Sequence, residues 1–195
     1  MDKNITIIEK PDWVSWNDIR QCLYDAHSSN RKRGIKMYHY QWPEERIIGH
    51  LGDNGFMLVA LDGEKLVGTA ALGDRVGKIW YANGPYAYAC FDSIIPEYAG
   101  RGIFRALDSK RESLAISAGY NVMVFDTHCK NVHRIRIAKK MGYRPVHYFR
   151  AKSGDHYNIV MVKWLRDRSF SPIHCWVRYH ISKFKAISRF PLKKD

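Results

Sequence analysis

Gly100 and Gly102 bracket Arg101, and Arg105 follows, at the point where an apolar run (Phe91 to Ile95) gives way to a new pattern. Beyond the turn, Ile103, Ala106, Leu107, Leu114, Ala115 and Ala118 recur at helical spacing. A strand that turns on glycine and opens a helix leaves backbone N–H groups unpaired at a positive dipole end, which is a seat for phosphate oxygens. Gly102 lets the backbone approach a ligand closely, and Arg101 and Arg105 add positive charge beside it. Proton-transfer candidates lie nearby. Asp92 is the carboxylate on the strand before the turn, and burial must raise its pKa if it is to act as a base near neutral pH. His128 and His133 flank Asn131 and titrate near neutrality, although a histidine on a basic helix is commonly a surface residue. Tyr143 offers a phenol in a Gly-aromatic pair that also suits a core slot. Cys129 needs a partner to lower its pKa before it can act as a nucleophile.

The elements that must position these groups follow from pattern and punctuation. Ile5 to Ile8 reads as a short strand. Trp13 to Ala26 has apolar residues at helical spacing (Trp16, Ile19, Leu23, Ala26), with Ser15 as N-cap. Ser28 to Gly34 is polar and basic and reads as a loop. Pro43 starts a second helix to about Leu51, with Glu44 and Glu45 favouring its N-terminal end. Phe56–Leu61 and Leu66–Leu72 are strands joined by the hairpin turn Asp62-Gly63. Lys78 to Pro85 reads as a loop, with Ile79-Trp80-Tyr81 able to pair as a strand. Ala87 to Ile95 is the strand before the glycine turn, and Asn121 to Asp126 the next. Asn131 opens a helix, and strands at 144–150 and 157–165 close the core, turned at Ser153-Gly154-Asp155. The order β, α, α, β, β, β, α, β, α, β, β is that of a mixed sheet flanked by helices.

The composition bounds the rest. A chain of 195 residues fits one domain with an appendage, and 46% hydrophobic residues exclude a disordered protein. No apolar run reaches membrane-span length, and the N-terminus has no signal-peptide core. The four cysteines have no C-x-x-C pairing, so a reducing cytoplasm is expected and neither zinc knuckles nor a disulfide framework is. A net charge of +13 attracts polyanions, coenzyme A among them. After Leu165 the composition shifts. Ser169 to Pro172 can start a helix, with Ile173, Trp176, Val177, Ile181, Phe184 and Ile187 at helical intervals, while Arg178, Lys183, Lys185 and Arg189 lie off that stripe. Two readings suit it: a helix packed on its own domain or on a second subunit, and a helix lying on an anionic membrane surface.

The stretch around Gly102 resembles the GNAT superfamily of acyl-coenzyme A N-acyltransferases. Those proteins carry a strand, a Pro-Glu-Tyr lead-in (here Pro96-Glu97-Tyr98) and a loop of the form Arg/Gln-x-x-Gly-x-Gly/Ala opening a helix. Ala99 holds the first slot, Gly102 the central glycine and Phe104 the final small-residue slot, so two of the three defining positions depart from the pattern. Downstream, the strand Asn121–Asp126, the helix opened by Asn131 and the closing Met141-Gly142-Tyr143 also match, and the resemblance spans Ile5 to Trp164. It implies an α/β GNAT fold, a mixed and mostly antiparallel sheet flanked by helices. Residues 1–166 would form the acyltransferase domain and 167–195 a basic amphipathic C-terminal extension.

The activity implied is transfer of an acetyl or short acyl group from acetyl-CoA, by direct attack, to a primary amine of a small molecule or amino sugar. No metal is expected. The resemblance places the pantetheine arm on the main chain of Ile94 and Ile95 and on Asn131, which is equally an ordinary N-cap. It places the pyrophosphate on Gly100, Arg101, Gly102, Ile103, Phe104 and Arg105. The family's usual tyrosine, seven residues after the asparagine, is Ala138 here, so its general-acid role does not carry over. Asp92, Tyr143 and His133 remain as the candidate catalytic side chains. The aromatic segments Tyr38 to Trp42 and Trp80 to Asn83 suit either an acceptor site or a packed cap. A second reading is a non-catalytic GNAT-like module that binds acyl-CoA or polyanions such as nucleic acid or anionic membrane. Under the first reading the partners are acyl-CoA and a small amine, with an anionic membrane or a second copy at the C-terminal helix, and nucleic acid is not expected. The location implied is cytoplasmic and peripheral to a membrane.

Overall fold

The computed structural model describes residues 4–35, 38–151, 155–166 and 171–189. Seven strands form one sheet in the order β1-β2-β3-β4-β5-β7-β6. They are β1 (Ile5–Glu9), β2 (Phe56–Asp62), β3 (Lys65–Ile79), β4 (Ala82–Ile94), β5 (Val122–His128), β6 (Arg144–Arg150) and β7 (Tyr157–Trp164). All neighbours are antiparallel except β4 and β5. A parallel pair needs a crossover, and α4 (Ile103–Ser117) supplies it. The remaining helices are α1 (Trp16–Ala26), α2 (Ser28–Lys32), α3 (Glu44–Leu51), α5 (Val132–Lys140) and α6 (Pro172–Arg189).

Alternation along the strands sorts the core into two layers. Met57, Val59 and Leu61 of β2 pack against Ile19 and Leu23 of α1 and Ile47 and Leu51 of α3. Leu58 and Ala60 face Ile103 and Leu107 of α4 on the opposite side. Ser15 caps α1 as expected, its hydroxyl accepting from Asp18 N while the Asp18 carboxylate accepts from Ser15 N at 2.9 Å.

Three expectations are corrected. Ser28–Lys32 is a short helix rather than a loop. Lys78 to Pro85 is not a loop either: β3 and β4 continue as one long hairpin down to the Ile79↔Ala82 pair. The buried stripe of α4 is Ile103, Leu107, Asp108, Arg111 and Ala115, so it carries an ion pair that an apolar pattern does not reveal. The Ser153-Gly154-Asp155 turn and the Ser169-Phe170 helix start fall partly outside the described residues.

The C-terminal helix is present and packs on its own domain, but through a face other than the expected apolar stripe. Cys175, Tyr179, Ser182 and Ala186 form its inner face. Cys175 is buried with Val146 of β6, Ser182 Oγ accepts from Tyr148 N at 2.9 Å, and Tyr179 and Ala186 pack beside Tyr148 and Tyr157. The stripe of Ile173, Trp176, Val177, Ile181, Phe184 and Ile187 faces solvent.

Arg111 is fully buried at 0% exposure. Its guanidinium donates to Asp92 Oδ1 at 2.5 Å, to Ala71 O at 3.1 Å and to the Asp108 carboxylate. Burial opposes its charge, but Asp92 and Asp108 outweigh that penalty and hold its pKa well above the ordinary value. Breaking such a buried pair strands an uncompensated charge. Arg111→Met is therefore expected to lower the unfolding free energy in urea by about 3–5 kcal/mol. Pairing it with Asp108→Asn should cost less than the sum of the two single changes.

Candidate active site

The parallel ladder between β4 and β5 pairs only Ala87 with Met123 and Tyr88 with Val124. Beyond those residues the two strands part. A bulge in β4 accompanies the parting: register with β3 shifts between Thr69 and Ala71, and Phe91 takes a φ of +52°. For a bulky residue that conformation is strained, and packing must hold it. Thr69 Oγ1 does part of this by donating to Phe91 O at 2.6 Å.

At the mouth of the parting lies the glycine turn. Gly100 and Gly102 both have φ +81°, and Gly102 is the left-handed N-cap of α4 with no side-chain cap bond. A Cβ built at either glycine would meet nothing within 4 Å, so the turn is open on its ligand side. The first N–H groups of α4, from Ile103, Phe104 and Arg105, face out of the helix end. Arg101 folds back, donating to Glu97 O at 2.9 Å and lying over the Tyr98 ring, while Arg105 is exposed. Phe104 does not crowd the turn. Its ring lies 4.6 Å from the Arg134 guanidinium, which is also 4.2 Å from the Phe125 ring.

Arg134 thus sits between α4, β4 and β5, and it also ion-pairs with Asp92. Its Nη1 is buried without a hydrogen-bond partner, an unused donor in the throat of the parting. An open diphosphate cradle followed by an orphaned cationic donor fits an acyl-CoA. Just past β4, the Ile95 N–H is already committed, donating to Val67 O at 3.0 Å, so it is not available to a pantetheine arm. Alternation turns the Ile94 N–H to the opposite edge, toward β5. Asn131 takes the N-cap position: it is 7% exposed, and its Oδ1 accepts from Arg134 N at 3.3 Å while its Nδ2 donates to Thr127 Oγ1 at 3.4 Å.

The three candidate catalytic side chains are not brought together. Asp92 has one oxygen on Arg111 and the other on Arg134, so it is committed to an ion-pair network that joins β4 to α4 and α5. Tyr143 is 2% exposed, its phenol donating to Asp108 Oδ1 at 3.3 Å. Burial, then Asp108, pushes its pKa well above the usual value, which suits a core phenol and not a proton donor to an entering substrate. His133 lies exposed on the first turn of α5.

The opposite side of the parting brings members of the two expected aromatic segments, Tyr81 of 80–83 and His39 and Trp42 of 38–42, near groups that the sequence reading passed over. A cleft of about 370 Å³ is lined by Tyr81, Tyr86, Tyr88, Asp126, His147 and Phe149, among others. Asp126 is the one carboxylate in its lining. Tyr88 donates its hydroxyl to Asp126 Oδ1, and Asn158 Nδ2 donates to Oδ2 at 2.8 Å. Burial, then the Asp126 charge, holds the Tyr88 phenol protonated. Beside the cleft, Phe91 is caged by the rings of His39 (5.4 Å), His50 (5.5 Å) and Trp42 (5.9 Å). The alternation of β5 puts Asp126 on the face of Val124 rather than of Phe125, and that period-two pattern is the signal that could have singled it out.

Histidines in and near this region resist protonation. Burial is the main cause, lowering His50 of the cage and His27, at the C-terminal end of α1, from 6.5 to about 4 in each case. His39 is lowered by burial too. Between pH 6.5 and about 4 the unfolded chain binds protons that the folded protein refuses, so stability falls as the pH drops through that window. Melting temperatures recorded from neutral to acidic pH should show this decline, and His27→Asn should flatten it.

The acetyltransferase (GNAT) family model matches residues 13–143. No curated protein matches the chain. Among solved structures, an acetyltransferase from Streptococcus agalactiae is 19% identical with a TM-score of 0.64, covering 84% of this chain and 99% of its own. A GNAT family acetyltransferase from Elizabethkingia anophelis, solved with acetyl-CoA bound, is 15% identical with a TM-score of 0.61, covering 84% of this chain and 100% of its own. The ribosomal-protein-S18-alanine N-acetyltransferase of Escherichia coli is 14% identical with a TM-score of 0.61, covering 86% and 99%. At these identities the likeness is one of fold. The family model spans well over half the sequence, and so the chain belongs to the acetyltransferase (GNAT) family and is an acyltransferase.

Proposed function

We propose that this acetyltransferase modifies a primary amine on a small molecule, of the size and character of an amino sugar. The carrying observation is Asp126: a single carboxylate set among aromatic walls in a cleft beside the strand parting. Flat apolar faces with hydroxyl tips suit a sugar ring, and tyrosine faces together with a carboxylate suit an ammonium. Two of the four acceptor positions on Asp126 are taken by Tyr88 and Asn158, which fix its orientation and leave the others for the amine.

The chemistry divides between the two sides of the parting. The amine nitrogen attacks the thioester carbonyl carbon of acetyl-CoA, and the C–S bond then breaks to release the coenzyme A thiolate, which takes up a proton and leaves as the thiol. The glycine turn and the α4 N–H groups would hold its diphosphate, with Arg105 adding charge. Arg134 Nη1 and the β5-facing N–H of Ile94 are the donors nearest the parting. Asp126 draws in the ammonium, orients it and offers an oxygen to the proton it must lose. Tyr88 keeps its proton and fixes the carboxylate. The neutral imidazoles of His39 and His50 keep competing positive charge out of the cage.

Steady-state assay with an amine panel tests this reading. Asp126→Asn should lower kcat/KM for the amine about 100-fold, near the upper worth of a hydrogen bond to a charged group, with KM for acetyl-CoA unchanged. Tyr88→Phe should cost about tenfold, the loss of one ordinary hydrogen bond. Full turnover in Asp126→Asn, or acetylation confined to peptide N-termini, would sink the proposal.

The cradle has its own test by calorimetry. Gly102→Ala should weaken acetyl-CoA binding and cost about 1–2 kcal/mol of stability, the penalty of a left-handed backbone with a Cβ. Gly119, at φ +89° just past the opposite end of α4 and equally open, is the control. Gly119→Ala should lose similar stability and bind the donor normally.

A further inference from the structure

The outer face of α6 is apolar where a water-facing helix is ordinarily polar. Ile173 and Phe184 are each 75% exposed and Trp176 is 62% exposed, with Val177, Ile181 and Ile187 completing the stripe. At 100° per residue these six share one arc with the exposed His180 and Ser188, opposite the Cys175, Tyr179, Ser182 and Ala186 face that packs on β6. Cations border the arc on both sides. Lys183 lies along one margin, and Arg178 and Lys185 along the other. The 18 residues of α6 contain no aspartate or glutamate.

We propose that α6 docks this protein onto an anionic phospholipid surface, lying in the plane of the interface. Charge complementarity chooses the occupant. A second copy of the same face would bring two sets of uncompensated cations together, whereas lipid phosphates neutralise them. Lysine stems can run along the apolar arc and keep their ammonium groups at headgroup level. A tryptophan beside the phenylalanine suits the boundary between acyl chain and water. No helix among the described residues is long and apolar enough to cross a membrane, so contact is superficial. The helix is also coupled to the acceptor cleft. Trp80, in the β3–β4 hairpin, lies 5.5 Å from the His174 ring and 5.6 Å from the Arg178 guanidinium, and the next residue, Tyr81, lines the cleft. A bilayer seated on α6 therefore lies on the side of the molecule where that hairpin meets the helix.

Co-sedimentation of the full-length protein with vesicles is the test, using phosphatidylcholine alone and phosphatidylcholine containing phosphatidylglycerol. Binding should require the anionic lipid and should weaken as salt rises from about 0.05 to 0.5 M, over which the screening length falls about threefold. Phe184→Glu, at an exposed site that leaves folding intact, should reduce the vesicle partition coefficient by at least about tenfold, as expected for withdrawing a phenyl ring from the apolar layer. Its melting temperature and its acetyl-CoA binding should be those of the wild type. Three results would each overturn the proposal. One is no binding to anionic vesicles at low salt. Another is unchanged binding by Phe184→Glu, which would mean adsorption by charge alone. The third is a solution dimer that Phe184→Glu splits into monomers, which would assign the stripe to a second copy.

Discussion

A guanidinium removed wholly from water must be neutralised inside the protein, and the centre of this fold is arranged around that demand. Arg111 brings its charge beneath the sheet, and Asp92 and Asp108 answer it. The consequence is mechanical. Asp92 belongs to β4, Asp108 and Arg111 to α4, and Arg134 to α5, so one network ties both helices to the strand that loses its parallel partner. Ladder hydrogen bonds cannot hold β4 near β5 beyond Tyr88 and Val124. Side-chain charge takes over where the backbone stops. The network explains why the parting is a fixed cleft and not a frayed edge, since single removals in a buried ion cluster are strongly unfavourable.

The bulge at Phe91 is the counterpart of that network on the other face. A phenylalanine at positive φ persists only when its surroundings over-determine it. Here Thr69 holds its carbonyl, and His39, Trp42 and His50 enclose its ring. The same rings that stabilise the strained backbone wall off the region beside Tyr88 and Asp126. Stability and the proposed substrate recognition therefore draw on one set of aromatic contacts, and the low pKa of His50 follows from that shared burial.

Much of the frame was legible in residue order. The Ser15 N-cap, the Asp62-Gly63 turn and the Gly100-Arg101-Gly102 turn each encode local geometry, and each formed where expected. Local signals failed where partners come from far along the chain. Asp92 looks like a base until Arg111 and Arg134, 19 and 42 residues away, are seen on its two oxygens. Asp126 stays anonymous until Tyr88 and Asn158, 38 and 32 residues away, converge on it. The β3–β4 hairpin was hidden because Gly77, Gly84 and Pro85 read as loop punctuation, and only pairing with each other makes strands of them. For α6 the periodicity was correct, but periodicity cannot say which way a stripe faces when β6 can be covered equally well by Cys175 and Tyr179.

Under the proposed function, the overall charge makes the two substrates unequal. A field from +13 net charges draws in a polyanionic donor at long range and repels a protonated amine at the same distances. Capture of the acceptor then rests on short-range terms. Within a few ångströms, in a cleft of low dielectric, one well-oriented carboxylate outweighs a diffuse positive field that salt has already screened over about 8 Å under physiological conditions. The aromatic rings add attraction that does not depend on net charge. This division accounts for where the chain places its charges. The cations at the glycine turn and along α6 are exposed, where long-range attraction to anionic partners is effective, and the Asp126 carboxylate is recessed among tyrosines, where it acts only on an amine that has already arrived.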